Sequence, residues 1–339
     1  MSDARVLVTG ATGFLGRQLL RALSDEKHAR VALVRDARGW EELPWRSEVE
    51  PVRSVVGSPI APGDWLERVA ALGVRCIFHT AGLVRHTRER PDEMLTLNVE
   101  GTLNMVRAAH ALGARLVFVS SSGTVGCFRR PHDAADEAAP FAEQLVARWP
   151  YYSSKIRAEL GAARLADELG VELVIVRPPV LLGPDDHRQR STSYVHKVML
   201  RKVPAIPPGG MHFTDVRDVA AALARLATLS SPKRAYHLPG TACSLRQFFG
   251  MVSDIAGSAT IRRRMPRWAT LSLAKFGGIG LGRPAWLPDP VVLEMSTCYW
   301  GLRSNHAGEL SYAPRPAEET LRDTVSWLSG AHGAEGAVS

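Results

Sequence analysis

Three glycines near the N-terminus constrain this chain more than any other feature. Residues 6–16 read VLVTGATGFLG, with Gly10, Gly13 and Gly16 spaced G-x-x-G-x-x-G after an apolar run and at the start of a helical pattern. In a strand-to-helix turn each glycine has its own steric task. Gly10 permits the tight turn, Gly13 lets the backbone approach a pyrophosphate, and Gly16 allows helix and strand to pack closely. The helix N-terminus contributes unpaired N–H donors and the positive end of a dipole. With Thr12, Phe14 and Leu15 completing the loop, the segment predicts a dinucleotide-binding βα turn.

The alternation continues downstream. Short apolar runs at 4–9, 31–34, 51–56, 75–80, 115–119 and 172–176 are interleaved with helical patterns at 14–23, 64–72, 92–112 and 151–169. Such alternation implies βαβ units, hence an α/β fold: a Rossmann doubly wound parallel sheet with helices on both faces. From Gly183 the sequence turns rich in Pro, Gly and Arg and the alternation fades. Residues 1–182 are therefore expected to form the dinucleotide-binding domain. Residues 183–339 are expected to form mainly a smaller C-terminal substrate-binding lobe, with some segments returning to the first domain. Helical patterns at 216–226, 245–255 and 316–328 fall within it.

Composition excludes several classes. At 339 residues, 45% hydrophobic and 22% charged, the chain has ample core material and is not low-complexity disorder. No uncharged apolar run reaches the roughly 18 residues a membrane span requires. The strand pattern starts almost at once, which leaves no room for a signal peptide and predicts a cytoplasmic protein. The four cysteines, Cys76, Cys127, Cys243 and Cys298, are isolated in sequence, and the 11 histidines form no H-x-x-x-H or H-E-x-x-H group. Neither a disulfide framework nor a metal site is expected. The net charge of +8 comes from arginine, since only six of the 42 basic residues are lysine. The arginines are scattered and only Arg262, Arg263, Arg264 and Arg267 cluster, so no nucleic-acid partner is expected. That cluster begins the segment 262–288, where Trp268, Leu271, Lys275 and Ile279 recur at near-helical spacing. Three readings fit it: a core-facing helix, a lid over an apolar substrate, or a peripheral membrane contact.

Two further sites carry chemistry. The second strand ends VRDARG, placing Arg35, Asp36 and Arg38 where a dinucleotide's ribose is read. An acidic residue there binds the 2′-hydroxyl, whereas arginine suits a 2′-phosphate. Arg35 comes first and Asp36 is expected to turn outward, so NADP (NADPH) is predicted over NAD. The second site is YYSSK, residues 151–155. Tyr151 and Lys155 share a helix face, and an ammonium beside a phenol of ordinary pKa ~10 favours phenolate, making the tyrosine a usable acid or base. Tyr152, three residues before Lys155, is a spatial rival. Ser120–Ser122 follow the apolar run LVFV, at the sheet edge where ligands bind.

The series TGATGFLG (9–16), HTAG (79–82), NVEGT (98–102), SSSGTVG (120–126), YYSSK (151–155) and RPPVLLGP (177–184) resembles the extended short-chain dehydrogenases/reductases, within the superfamily of NAD-dependent epimerases and dehydratases. The resemblance covers nearly the whole chain. It implies that Tyr151 is the catalytic acid and Ser122 the hydroxyl that polarises the carbonyl. Lys155 would hold the ribose and lower the tyrosine pKa, and Asn98 would act structurally or relay water. Thr80, Ala81, Gly82 and Ser120 would border the cofactor, with Pro178 and Val180 at the nicotinamide carboxamide. One departure stands out: the family's G-D pattern after the third strand is here Gly57-Ser58.

The resemblance also bears on substrate. Family members acting on nucleotide sugars usually carry an asparagine where this chain has Pro178-Pro179-Val180, and an arginine where it has Met211. A diphosphate would lose both contacts. The dehydratase Asp-Glu is replaced by Val125-Gly126. HFTDVRDVA, residues 212–220, is similar to the dihydroflavonol-reductase and 3β-hydroxysteroid-dehydrogenase branch, with Asp215 and Asp218 read as helix caps. The implied activity is NADP(H)-dependent reduction of a ketone or aldehyde carbonyl, or oxidation of the alcohol, on a small, largely apolar molecule. The alternatives are a sugar-nucleotide epimerase or dehydratase with bound NAD, and a non-enzymatic nucleotide sensor. A homodimer is compatible with the family's habit.

Overall fold

A computed structural model describes residues 5–61, 63–277 and 287–330. Its strands are β1 (Arg5–Thr9), β2 (Ala29–Val34), β3 (Val52–Val56), β4 (Cys76–His79), β5 (Arg115–Val119) and β6 (Cys127–Phe128), followed by β7 (Leu173–Arg177), β8 (Val180–Leu182), β9 (Gly210–Asp215), β10 (Ala235–His237), β11 (Thr241–Ser244) and β12 (Tyr299–Trp300). The helices are α1 (Phe14–Asp25), α2 (Ala37–Glu41), α3 (Trp65–Ala70), α4 (Pro91–Leu95), α5 (Gly101–Leu112), α6 (Glu143–Val146) and α7 (Pro150–Leu169). They continue as α8 (Ser193–Met199), α9 (Val216–Arg225), α10 (Leu245–Ile255), α11 (Arg267–Phe276), α12 (Pro290–Met295) and α13 (Ala317–Ser329).

The main sheet is parallel throughout, in the order β10-β7-β5-β4-β1-β2-β3. Its strands read as near-continuous apolar runs because both faces are covered. In β1, Val6 and Val8 join the core that includes Leu19, Leu20 and Leu223 of α1 and α9, while Leu7 joins Met105, Val106 and Ala162 of α5 and α7. Successive side chains thus feed opposite layers, as the two-residue strand period requires. The strand order reverses between β1 and β4, which opens a crevice at their C-terminal ends.

The second lobe contains a small sheet, β11-β9-β8, and a separate apolar cluster around Phe213, Phe248 and Leu321. The chain crosses back between lobes: α9 packs on the Rossmann layer and β10 extends the main sheet beside β7. Asp215 caps α9, accepting from Arg217 N at 2.9 Å. Asp218 does not cap. Its carboxylate receives the Arg315 guanidinium at 2.7 Å, fixing the chain just before α13. The helical pattern at 92–112 forms in three stretches, with a π-helical turn at Thr96–Glu100 between α4 and α5.

In α11 the buried residues are Thr270 and Ala274, whereas Trp268 and Lys275 are exposed. The aromatic and cationic members of the expected stripe therefore face outward, and a core-facing stripe is not what forms. Ile279 lies outside the described residues.

Candidate active site

The glycine loop meets the steric demands of a nucleotide cradle. Gly10 has φ +71°, and a Cβ there would lie 2.7 Å from both Ala81 N and Thr80 Oγ1. A Cβ on Gly16 would run into the Gly10 carbonyl oxygen. Gly13 precedes the first turn of α1, and its N–H donates to Gly10 O at 2.8 Å. Thr80 Oγ1 donates to Thr9 O at 2.7 Å, which joins the β1 and β4 ends beside the loop.

Across the crevice, Pro150 occupies the first turn of α7, where its missing N–H costs nothing, and Tyr151 and Lys155 follow. Ser121 is near enough to the Tyr151 hydroxyl to act on its proton affinity. Ser122 begins the next turn, with its N–H donating to Pro178 O at 2.8 Å. Tyr152 is packed among Trp149, Trp300 and His86. Lys155 is buried; its ammonium donates to Val119 O at 3.0 Å and sits 4.8 Å from the centre of the Phe118 ring. Ser120 turns inward and donates to Glu159 Oε1 at 2.5 Å; Glu159 in turn holds Arg177 in a buried ion pair.

The proton affinities are set by burial. Burial pushes the Tyr151 phenol up to about 12, outweighing the opposing influence of Ser121. The lowering expected from Lys155 is not what the structure shows, because desolvation of a phenolate in this pocket dominates. Burial also lowers the Lys155 ammonium to about 8, with Glu159 opposing. Tyr151 is thus held as the neutral acid.

Asn98 lies in the π-helical turn, and its amide is fully engaged. Oδ1 accepts from Leu83 N at 2.8 Å, while Nδ2 donates to Leu83 O at 3.0 Å and Ser154 Oγ at 2.9 Å. It ties the loop after β4 to α7, a positioning task.

These elements enclose a cavity of about 940 Å³ that runs between the lobes. Gly10, Thr12, Gly13, Phe14, Leu15, Gly16, Thr80, Gly82, Ser120, Pro178 and Val180 line it, as do Ser122, Tyr151 and Lys155; Ala81, Asn98, Arg35 and Arg38 do not. From the second lobe the apolar side chains of Met211, Phe249, Met265, Leu273 and Leu293 also line it. His86 was not foreseen. Its ring meets Tyr151 edge-on at 5.6 Å, and burial lowers its pKa to about 4, so it is neutral.

After β2, where the sequence leads one to expect the ribose to be read, Asp36 caps α2, accepting from Arg38 N at 3.1 Å and Gly39 N at 2.9 Å. Arg38 pairs with Glu42 at 2.6 Å on the exposed surface, away from the cleft. Among the described residues Arg35 makes no hydrogen bond or ion pair. A second arginine approaches from the other lobe. Asp185 is held by Gln18 at 3.0 Å and Arg21 at 2.6 Å, which pins the 183–190 turn to α1. Asp186 then accepts from Ser191 N at 2.8 Å, shaping the turn that presents Arg188 and Arg190 to the cavity. Burial, with the charges of Arg190 and Arg35, holds the Arg188 guanidinium below its usual value. No sequence signal marks Arg188, since its place depends on ion pairs with a helix at the other end of the chain.

Comparison with known proteins agrees with this geometry. Residues 6–238 match the NAD dependent epimerase/dehydratase family. A protein of Synechocystis sp., provisionally named a dihydroflavonol 4-reductase, is 29% identical over 336 residues, covering 96% of this chain and 94% of its own. The crystal structure of gox2253 superimposes with a TM-score of 0.78 at 29% identity, over 96% of this chain and 98% of that one. The UDP-glucose 4-epimerase of Thermus thermophilus, solved in complex with NAD, has a TM-score of 0.72 at 23% identity, covering 96% and 99% of the two chains, and shares the fold. A seven-stranded Rossmann sheet, a glycine cradle at its switch point and a family match over most of its length lead to one assignment: the chain belongs to the NAD dependent epimerase/dehydratase family of extended short-chain dehydrogenases/reductases.

Proposed function

We propose that this protein is an NADP(H)-dependent oxidoreductase that reduces the ketone or aldehyde carbonyl of a small, largely apolar molecule. One observation carries the reading: a protonated, buried Tyr151, beside the serine turn and one helical turn from Lys155, on the wall of a cavity lined both by the glycine loop and by apolar side chains such as Phe249 and Leu293. The glycine cradle, with no room for a Cβ at Gly10 or Gly16, fits a dinucleotide, and the unpaired Arg35 fits a 2′-phosphate. When bound there, the nicotinamide supplies the reducing equivalent.

The protein's own groups do the rest. Ser122 hydrogen-bonds the carbonyl oxygen, and Tyr151 gives it a proton as charge develops. Lys155, held between Val119 O and the Phe118 ring, would hold the ribose of a bound cofactor. Asn98 keeps the helix carrying both residues against the β4 loop. The relative provisionally named a dihydroflavonol 4-reductase is in line with a carbonyl substrate. A panel of ketones and aldehydes, followed by NADPH absorbance, tests the reading. Carbonyl-dependent NADPH consumption is expected; retained NAD together with tight UDP-sugar binding would overturn it.

A further inference from the structure

We propose that the substrate lobe docks on an anionic membrane surface through two adjoining acid-free segments, one of which carries α11. Residues 187–214 and 255–277 contain no Asp or Glu. Their backbones are joined where Ile206 bridges Arg264, with Ile206 N donating to Arg263 O at 2.8 Å and Met265 N to Ile206 O at 2.9 Å. The pair of segments presents Arg201, Lys202, Arg262, Arg263, Arg264 and Lys275 as exposed cations. Among the described residues none of the six pairs with a carboxylate. Elsewhere on this protein arginines commonly do, as Arg38 with Glu42 and Arg322 with Glu318.

Apolar groups stand among these charges. Trp268 is 74% exposed, Phe276 55% and Leu200 48%. Trp268, Ser272, Lys275 and Phe276 are exposed at i, i+4, i+7 and i+8 along α11, so they share one outward face. Large exposed aromatics flanked by unpaired cations suit a bilayer interface, where rings enter the headgroup level and arginines meet anionic lipid. The same segments form part of the cavity wall, through Val203 and Pro204 on one and Met265 and Leu273 on the other. The docked face would then lie beside this apolar stretch of the cavity wall, where an amphiphilic carbonyl compound could pass in from lipid. That last consequence rests on the reductase reading.

The test is flotation of the full-length protein with vesicles of phosphatidylcholine alone or mixed with phosphatidylglycerol, at low and high salt. Salt-sensitive binding to the anionic vesicles is expected. It should fall at least about tenfold in R262E/R263E/R264E, since each basic residue near an anionic surface is worth a severalfold factor, and also in W268S/F276S. Both variants should reduce a water-soluble carbonyl as wild type does, but a long-chain aldehyde presented in anionic vesicles at least about tenfold more slowly. Absence of binding to anionic vesicles, or binding that survives charge reversal, would overturn the proposal. So would a charge-dependent affinity for a DNA duplex without affinity for vesicles. If no carbonyl is reduced yet vesicle binding behaves as stated, the functional reading fails and the docking surface stands.

Discussion

Asn98 Nδ2 donates a 2.9 Å hydrogen bond to Ser154 Oγ, and Ser154 Oγ donates onward to Tyr151 O at 2.6 Å. The π-helical turn thus reaches the backbone of the residue proposed as the acid. Asn98→Ala would leave the Leu83 N–H buried without its acceptor, a loss of about 1–3 kcal/mol by the usual cost of an orphaned group. Urea unfolding should show that loss. Turnover should fall through kcat more than KM, because Asn98 does not line the cavity. A variant with unchanged stability and kcat would contradict the positioning role.

The two tyrosines make opposite predictions. General acid catalysis is commonly worth about a hundredfold to ten-thousandfold. Tyr151→Phe should lose activity on that scale while keeping NADPH affinity within about threefold, less than one ordinary hydrogen bond. Tyr152→Phe keeps the ring that packs on Trp300 at 5.3 Å and should cost little. Ser122→Ala should lower kcat without moving the pH profile. Ser121→Ala, which removes the one influence that lowers the phenol, should shift that profile to higher pH. The reverse pattern, with Tyr152→Phe inactive, would exchange their roles.

Lys155 gives a stability prediction with a definite sign. Its ammonium is lowered from 10.5 to about 8, so across that interval the unfolded chain holds a proton that the folded protein has released. The contribution of Lys155 to stability should therefore rise with pH from about 8 to 10.5. Below that range the folded state carries a cost on the order of 3 kcal/mol, from 1.36 kcal/mol per pKa unit. The thiols Cys76 and Cys243, raised by burial from 9.0, act oppositely from about 9 upward, and Tyr151 does so above 10. The Lys155 contribution is therefore read as the difference between wild type and variant. Urea unfolding of Lys155→Met should show a flattened slope between about 8 and 10. A variant that kept the wild-type slope would place the lowered pKa elsewhere.

What the sequence disclosed followed from chemistry that leaves little choice. A strand-to-helix turn around a diphosphate admits only glycine at Gly10 and Gly16, so the loop was readable from residue type and spacing. The four-residue step from Tyr151 to Lys155 was readable because α7 is regular there. The pKa of Tyr151 was not, since it depends on burial by Tyr152, His86 and their neighbours, which is a tertiary fact. Arg188 was hidden for a similar reason: Asp185, pinned by Arg21 and Gln18, decides where the turn points. In α11 the periodicity of Trp268 and Lys275 was visible, but a mixed stripe does not say which side faces inward.

In the proposed reading, cofactor choice rests on two arginines from opposite lobes. Asp36 spends its carboxylate on the N–H groups of Arg38 and Gly39, so it does not neutralise Arg35. Arg188, whose guanidinium is held below its usual value by burial and by the charges of Arg190 and Arg35, adds positive charge to the cavity wall. A 2′-phosphate carries roughly −1.5 to −2 charges near neutrality, and bonds to such a group contribute about 1.5–3 kcal/mol each. Arg35→Ala should weaken NADPH by about tenfold or more while NADH changes little. Arg188→Ala should act in the same direction, and the double variant should lose most of the preference. Arg38→Ala should do almost nothing, because that side chain is 86% exposed and already paired with Glu42. Fluorescence titration of both cofactors against wild type and each variant decides the matter. Equal losses for NADPH and NADH would mean that the arginines hold the adenosine rather than the phosphate, and a wild type that prefers NADH would overturn the NADP assignment.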